Sequence, residues 1–461
     1  MSRQDFYSEC RSKFPTFTYQ DYSYTLSDDE ISITYSFSID GLSEFHPTWK
    51  IARINKVDYE LNPALIDEMV FSLGMVELIS YWKIACPPKV SINNHFLSDK
   101  QIDWWKKLYW GGLGEFYYTN GIEDSIDSFM KIEVSHNARP YNVCESALKH
   151  PTMDGNTKVM IPIGGGKDSV VSIELLKNKA DRYCYIINSR GATEETAKVA
   201  ALKDKTIYAR RTLDSSMLDL NKQGYLNGHT PFSALVAFSS IIAGYLNGIS
   251  YVALSNENSA NESTVEGSYV NHQYSKSYEF EEDFRNYEKE FINSGVYYFS
   301  FLRPLSELQI AMLFSRFKAY HGVFKSCNVG SKQDIWCGHC PKCLFVYIIL
   351  SPYLSLEELD KIFGKRLFED ESLKDDFDKL CGVIPEKPFE CVGSRDEVNA
   401  SLTEAISQYE AANITLPVLL AHYKAMAVPT AIPFKNYKGQ FASIHGLNDY
   451  FAKIVHDAIN E

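Results

Sequence analysis

The chain has 461 residues, enough for two or three domains that each bury a core of their own. Its formal charge of -13, from 46 basic and 59 acidic side chains, argues against a broad basic surface that neutralises a nucleic-acid backbone, and favours a small-molecule partner. The opening residues MSRQDFYSEC lack the charged-then-apolar pattern of a secretory signal, so the ten cysteines are expected in the reducing cytoplasm.

Residues 1–150 are rich in Tyr, Phe and Trp, with strand-like alternation in ISITYSFSI and clusters such as DWWKKLYWGGLGEFYY. They predict a mixed α+β domain whose rings fill its interior. Between 151 and 350 short apolar runs alternate with helical segments: KVMIPI, SVVSIELLK, RYCYIIN, EETAKVAALK, TIYAR, FSALVAFSSIIAGYL and YVAL. That rhythm predicts an α/β domain built on a parallel sheet, with ligands at the carboxyl ends of its strands. The uncharged stretch Leu235–Leu254 is as long as a membrane span, but Asn247-Gly248 predicts a helix stop and ISYVAL a following buried strand, so no membrane contact is expected. Residues 351–461 form a helical extension whose acidic segments SLEELDKIF and DESLKDDFDKL are expected to face solvent.

IPIGGGKDS follows the first strand of the middle domain. It is not a Walker loop, because Ile161 stands where that motif needs its first glycine and Asp168 follows Lys167. Nor is it a dinucleotide fingerprint, since Ser169 occupies the third glycine position and Asp168 would face a pyrophosphate. Gly164, Gly165 and Gly166 still permit a tight turn close to a ligand, and a helix starting near Ser169 would aim free N–H groups at an anion. Lys167 can offset phosphate charge, and Asp168 can hold Mg2+ or organise the turn, which suits ATP.

The segment SCNVGSKQDIWCGHCPKC supplies Cys327, Cys337, Cys340 and Cys343. Four thiolates with a closing C-x-x-C-x-x-C suit tetrahedral structural zinc, and Gly338 and Pro341 help the chain turn. An iron–sulfur cluster or four reduced core cysteines are the competing readings. His339 is expected to face solvent.

GGGKDS resembles the SGGxDS loop of the PP-loop ATP pyrophosphatases, with Gly164 in place of the usual serine. The resemblance implies an adenine-nucleotide alpha hydrolase-like parallel core, adenylation chemistry, and an adenine contact from Asn188 in YIINSR. A PP-loop followed by such cysteines also occurs in 7-cyano-7-deazaguanine synthases, but those are little more than the PP-loop domain. The segments IPIGGGKDS, NGHTPFSALVAF, LSNENSANEST, VNHQYSKSYEFE, RPLSELQIAMLF and CGHCPKCLF, in that order, more closely resemble the ATP-dependent UDP-N-acetylmuramoyl-L-alanyl-L-glutamate epimerases. The implied reaction converts the terminal L-Glu of that UDP-linked muramoyl dipeptide to D-Glu through an adenylated carboxylate, releasing AMP and diphosphate.

Asn256, Glu257 and Asn258 follow the strand YVAL and are expected to contact substrate. His229 and His272 lie in polar loops and are candidates for proton transfer, with a structural role as the competing reading for each. In RPLSELQ, Ser306 and Gln309 predict a capping box beside Arg303. Another PP-loop ligase, RNA-modifying enzymes included, and a regulatory protein that senses ATP are the alternative functions.

Overall fold

A computed structural model describes residues 2–135, 146–261 and 274–461. The chain forms two compact units. The first gathers Met1–Thr152, Ile207–Val252 and Val270–Tyr298, and the second Met153–Thr206, Ala253–Tyr269 and Phe299–Glu461.

Alternation builds the sheet of the first unit. In the strand Glu30–Ile39, the residues Ile31, Ile33, Tyr35 and Phe37 are buried on one face. This strand pairs antiparallel with Thr16–Leu26, where a bulge between Tyr19 and Asp21 shifts the register, and antiparallel with Thr48–Ala52. Thr48–Ala52 in turn pairs antiparallel with residues 209–212, which sets Trp49 opposite Arg211. On the other flank Thr16–Leu26 pairs parallel with Lys89–Ile92, and that strand with Lys131–Val134.

The helix Pro63–Trp82 packs on this sheet. Asn62 caps it by accepting from the N–H groups of Ala64 and Leu65, and Pro63 occupies the first turn, where its missing N–H costs nothing. Gly74 permits the close approach, because a Cβ there would lie 2.1 Å from Tyr19 Oη. The aromatic residues fill this interior as expected, with Trp49, Trp82, Trp105, Tyr19 and Tyr35 fully buried.

The apolar stretch from Leu235 divides as its sequence indicates. Helix Phe232–Asn247 ends on Gly248 at φ 66°, and the buried strand Tyr251–Leu254 follows. Among the described residues no helix is long and apolar enough to cross a membrane.

In the second unit Lys158–Pro162 pairs parallel with Asp181–Ile187, with Ile161 beside Cys184. Next in strand order come Tyr251–Leu254 and Tyr297–Ser300, of which Ala253–Leu254 and Phe299–Ser300 belong to this unit. Phe301 N–H donates to Leu254 O and Tyr297 N–H to Ser250 O, the equal spacing of parallel strands. The helix Lys167–Leu175 packs against Glu307–Arg316, and Pro341–Leu350 against Arg395–Ala411. The acidic segments are helical at Leu356–Phe363 and Lys374–Cys381, but each also buries an apolar face, through Leu359, Ile362 and Phe363 in one and Phe377 and Leu380 in the other. The architecture is mixed α/β.

Candidate functional site

The glycine loop leaves the buried strand Lys158–Pro162 and enters the helix Lys167–Leu175. Gly165 makes the turn at φ 87°, and a Cβ there would meet Ala192 Cβ at 3.0 Å and Lys325 O at 3.3 Å. Lys325 N–H donates to Gly165 O at 2.7 Å and fixes the loop from outside. Gly166 is the N-cap and supplies no side-chain acceptor, so the first-turn N–H groups gain no cap from it. Such a helix start suits an anion. Ser169 Oγ bonds back to Gly166 O at 3.1 Å. Ser326 Oγ is buried beside the loop without a hydrogen-bond partner among the described residues, and a Cβ on Gly166 would lie 3.4 Å from Ser326 Cβ. Gly164 is exposed, with no atom within 4 Å of a Cβ placed on it. Arg190 Nη2 donates to Gly164 O at 3.1 Å, from the turn after Asp181–Ile187 that also contains Asn188 at φ 50°.

Lys167 turns inward. Its side chain is 2% exposed, and its ammonium group bonds Asp168 Oδ1 at 2.5 Å and Glu307 Oε2. Burial alone would lower the Lys167 pKa, but the charges of Asp168 and Glu307 outweigh it and hold the ammonium well above the ordinary lysine range. Burial pushes the Glu307 carboxyl above the ordinary carboxylate range, the like charges of Asp168 and Glu257 add to the shift, and the Lys167 ammonium opposes it and favours the ionised form. Glu307 opens the helix Glu307–Arg316, where Ser306 and Gln309 form the expected capping box. Asp168 remains partly exposed, at 30% of its side chain.

The segment after Tyr251–Leu254 reaches the same cluster. Ser255 Oγ and Ser172 Oγ share a 2.8 Å hydrogen bond that ties this segment to the loop's helix. Asn256 Nδ2 donates to Ser300 Oγ at 3.0 Å, and Asn258 N–H to Leu305 O at 3.0 Å with its side chain exposed. Glu257 is buried, and its backbone carbonyl accepts from Arg303 Nη1 at 2.7 Å. The structure therefore brings together the glycine loop, Lys167, Asp168, Asn256 and Glu257. His229 belongs to the first unit, half-buried with Nδ1 3.5 Å from Glu115 Oε2. His272 lies outside the described residues.

Cys327, Cys337, Cys340 and Cys343 converge, with every Sγ within 4.8 Å of the other three. The separations of 3.9 Å for Cys327–Cys340, 3.7 Å for Cys337–Cys343 and 3.5 Å for Cys340–Cys343 compare with about 3.8 Å between sulfurs around tetrahedral zinc. Gly330 N–H donates to Cys327 Sγ at 3.1 Å, which would stabilise a thiolate. Gly338 turns the chain at φ 69°, and Pro341 starts the next helix from the N-cap Cys340. His339 is exposed, as its sequence position suggests, and its Nδ1 lies 2.9 Å from Cys337 O. The donor set fits a structural zinc ion.

Neither the place of Glu307 in this cluster nor the depth of Arg303, which is fully buried, is legible in the sequence. Glu307 reads in sequence as an ordinary first-turn acid beside a capping serine. Nothing local announces a partner 140 positions earlier.

Residues 8–301 match the MurL N-terminal domain and residues 323–430 the MurL C-terminal domain. A UDP-N-acetyl-alpha-D-muramoyl-L-alanyl-L-glutamate epimerase of Xanthomonas oryzae pv. oryzae is 32% identical over 358 residues, covering 76% of this chain and 77% of the relative. Proteins of the same name from Salinispora tropica and a Micromonospora species are 31% and 30% identical over 399 residues, with 85% of this chain covered in both and 85% and 87% of the relatives. No solved structure matches the chain. With both domains matched in order and similarity along most of its length, the chain belongs to the MurL family.

Proposed function

We propose that this protein epimerises the terminal L-Glu of UDP-N-acetylmuramoyl-L-alanyl-L-glutamate to D-Glu in peptidoglycan precursor synthesis, using ATP in the manner of a cytoplasmic PP-loop enzyme. The family membership supports the reaction, and the uncapped helix start behind Gly164, Gly165 and Gly166 is the observation that carries the use of ATP.

A glutamate α-carboxylate resists loss of its Cα proton, because removal places a second negative charge beside the first. Attack of a carboxylate oxygen on the α-phosphorus of ATP, with diphosphate leaving, replaces that charge with a mixed anhydride. A base then takes the Cα proton, an acid returns one to the opposite face, and water frees the product and AMP. In this reading the loop N–H groups and Ser169 hold the phosphates, Asn188 faces the adenine, and Asn256, Glu257 and Asn258 line the substrate side. Asp168 would hold Mg2+, which offsets phosphate charge when bound. His229 and His272 remain the candidates for proton transfer. Zinc at the four cysteines would brace the fold outside the chemistry.

Substrate incubated with enzyme in heavy water should gain deuterium at the glutamate Cα only when ATP and Mg2+ are present. An analogue that cannot break between the α and β phosphates should block exchange while still binding. Equal exchange with the analogue would mean that ATP only organises the site. Diphosphate release without exchange under any condition would point to an amide-forming or nitrile-forming relative.

A further inference from the structure

We propose that Glu307 is a positioning residue, drawing Lys167 beneath the glycine loop so that the ammonium group holds Asp168 at the mouth of the anion site instead of reaching the anion itself. This rests on the proposed ATP reading for the identity of the ligand, but the positioning is a property of the chain alone.

The geometry supports it from three sides. A lysine that binds phosphate directly must place Nζ in the anion site, whereas Lys167 is 2% exposed and two of its three donors already meet carboxylates. To swing outward it would leave Glu307 buried at 3% exposure without a counter-charge, a costly arrangement. Glu307 is itself held from behind. Its backbone N–H donates to Glu397 Oε1 at 2.6 Å, and the other carboxylate oxygen of Glu397 accepts from Ser394 N–H and Oγ at 2.9 and 2.8 Å. The chain of contacts thus runs from the start of the helix Arg395–Ala411 through Glu397, Glu307 and Lys167 to Asp168, its exposed end.

Lys167 therefore acts on the ligand through Asp168. Its positive charge fixes the direction of one Asp168 oxygen, and among the described residues the other makes no hydrogen bond, so it would be available to hold a cation.

The test compares the full-length wild type with Glu307→Gln and Glu307→Leu. Lysine acylation read by mass spectrometry reports on Lys167 without any ligand, with the half-exposed Lys177 as internal reference. Calorimetric titration with MgATP, at several Mg2+ concentrations, reports on Asp168. Lys167 should be protected in the wild type and in the Gln variant, whose amide oxygen still accepts, and labelled in the Leu variant. The Mg2+ requirement should rise about 10- to 100-fold in the Leu variant and return most of the way in the Gln variant. Wild-type Lys167 labelled as fast as Lys177, or continued protection in the Leu variant, would overturn the proposal. So would an equal loss in both variants, which would mean that Glu307 touches the metal or nucleotide directly. A wild type that binds no MgATP would remove the ATP reading, and the labelling would still decide the positioning.

Discussion

Each unit buries an ion pair, and the two pairs lead to different places. In the first, Glu77 is fully buried and takes three hydrogen bonds from Arg211 at 2.8–3.1 Å and one from Trp49 Nε1 at 2.9 Å. Arg211 gives a further bond to Ser80 Oγ at 2.9 Å. In the second, Lys167 and Glu307 are as deeply buried, but the remaining contact of Lys167 leads to the partly exposed Asp168 beside an uncapped helix start. Burial of charge therefore does not mark a functional site by itself. The two pairs differ in that Lys167 also bonds the partly exposed Asp168.

Five measurements test that contrast. The largest effect is expected at the cysteines, a third buried polar cluster in which the ligand would complete the network. Metal analysis should find about one zinc per chain, and chelation or Cys340→Ser should cause the greatest loss of thermal stability, since structural zinc is worth on the order of 10 kcal/mol. Glu77→Leu leaves Arg211 buried without its partner and should cost about 3–5 kcal/mol, lowering the thermal midpoint by roughly 10 °C with turnover per folded molecule preserved. A loss of turnover without a loss of stability would erase the distinction between the two pairs. Asp168→Ala should do the converse, reducing diphosphate release about 100- to 1,000-fold while the melting curve hardly moves. Gly165→Ala forces a side chain to φ 87° against Ala192 and should cost about 1–2 kcal/mol in a denaturation series.

The smallest effect concerns pH. His95 in the first unit stacks on Phe71 and sits 3.0 Å from Glu68. Burial would lower its pKa, but the hydrogen bond and charge of Glu68 outweigh that and raise it. Because the folded pKa lies above the unfolded value of about 6.5, this contribution is full below that pH and is lost as pH rises through the folded value. The thermal midpoint should fall slightly over that window, and Glu68→Gln should flatten the fall.

Local signals carried much of this into view. The alternation of ISITYSFSI marked its strand, Asn247-Gly248 marked the end of an apolar helix, and the spacing from Cys327 to Cys343 marked a convergent sulfur set. Each is a short-range pattern whose cause lies within a few residues. The pairing of Lys167 with Glu307 was not legible, because it depends on strand order, which places the turn after Lys158–Pro162 near the segment after Tyr297–Ser300. The inward direction of Lys167 was hidden for the same reason. A lysine beside three glycines reads as a phosphate ligand, and its contact with a carboxylate 140 positions away leaves no local trace.

Gly164 and Gly165 are neighbours with opposite freedom. Gly165 is committed by its backbone angle and by Ala192 and Lys325, whereas Gly164 faces open space. At the one position where this loop departs from the SGGxDS pattern, a side chain would thus meet no neighbour. A hydroxyl placed there by Gly164→Ser would add its bulk to open space and leave the turn at Gly165 as it is.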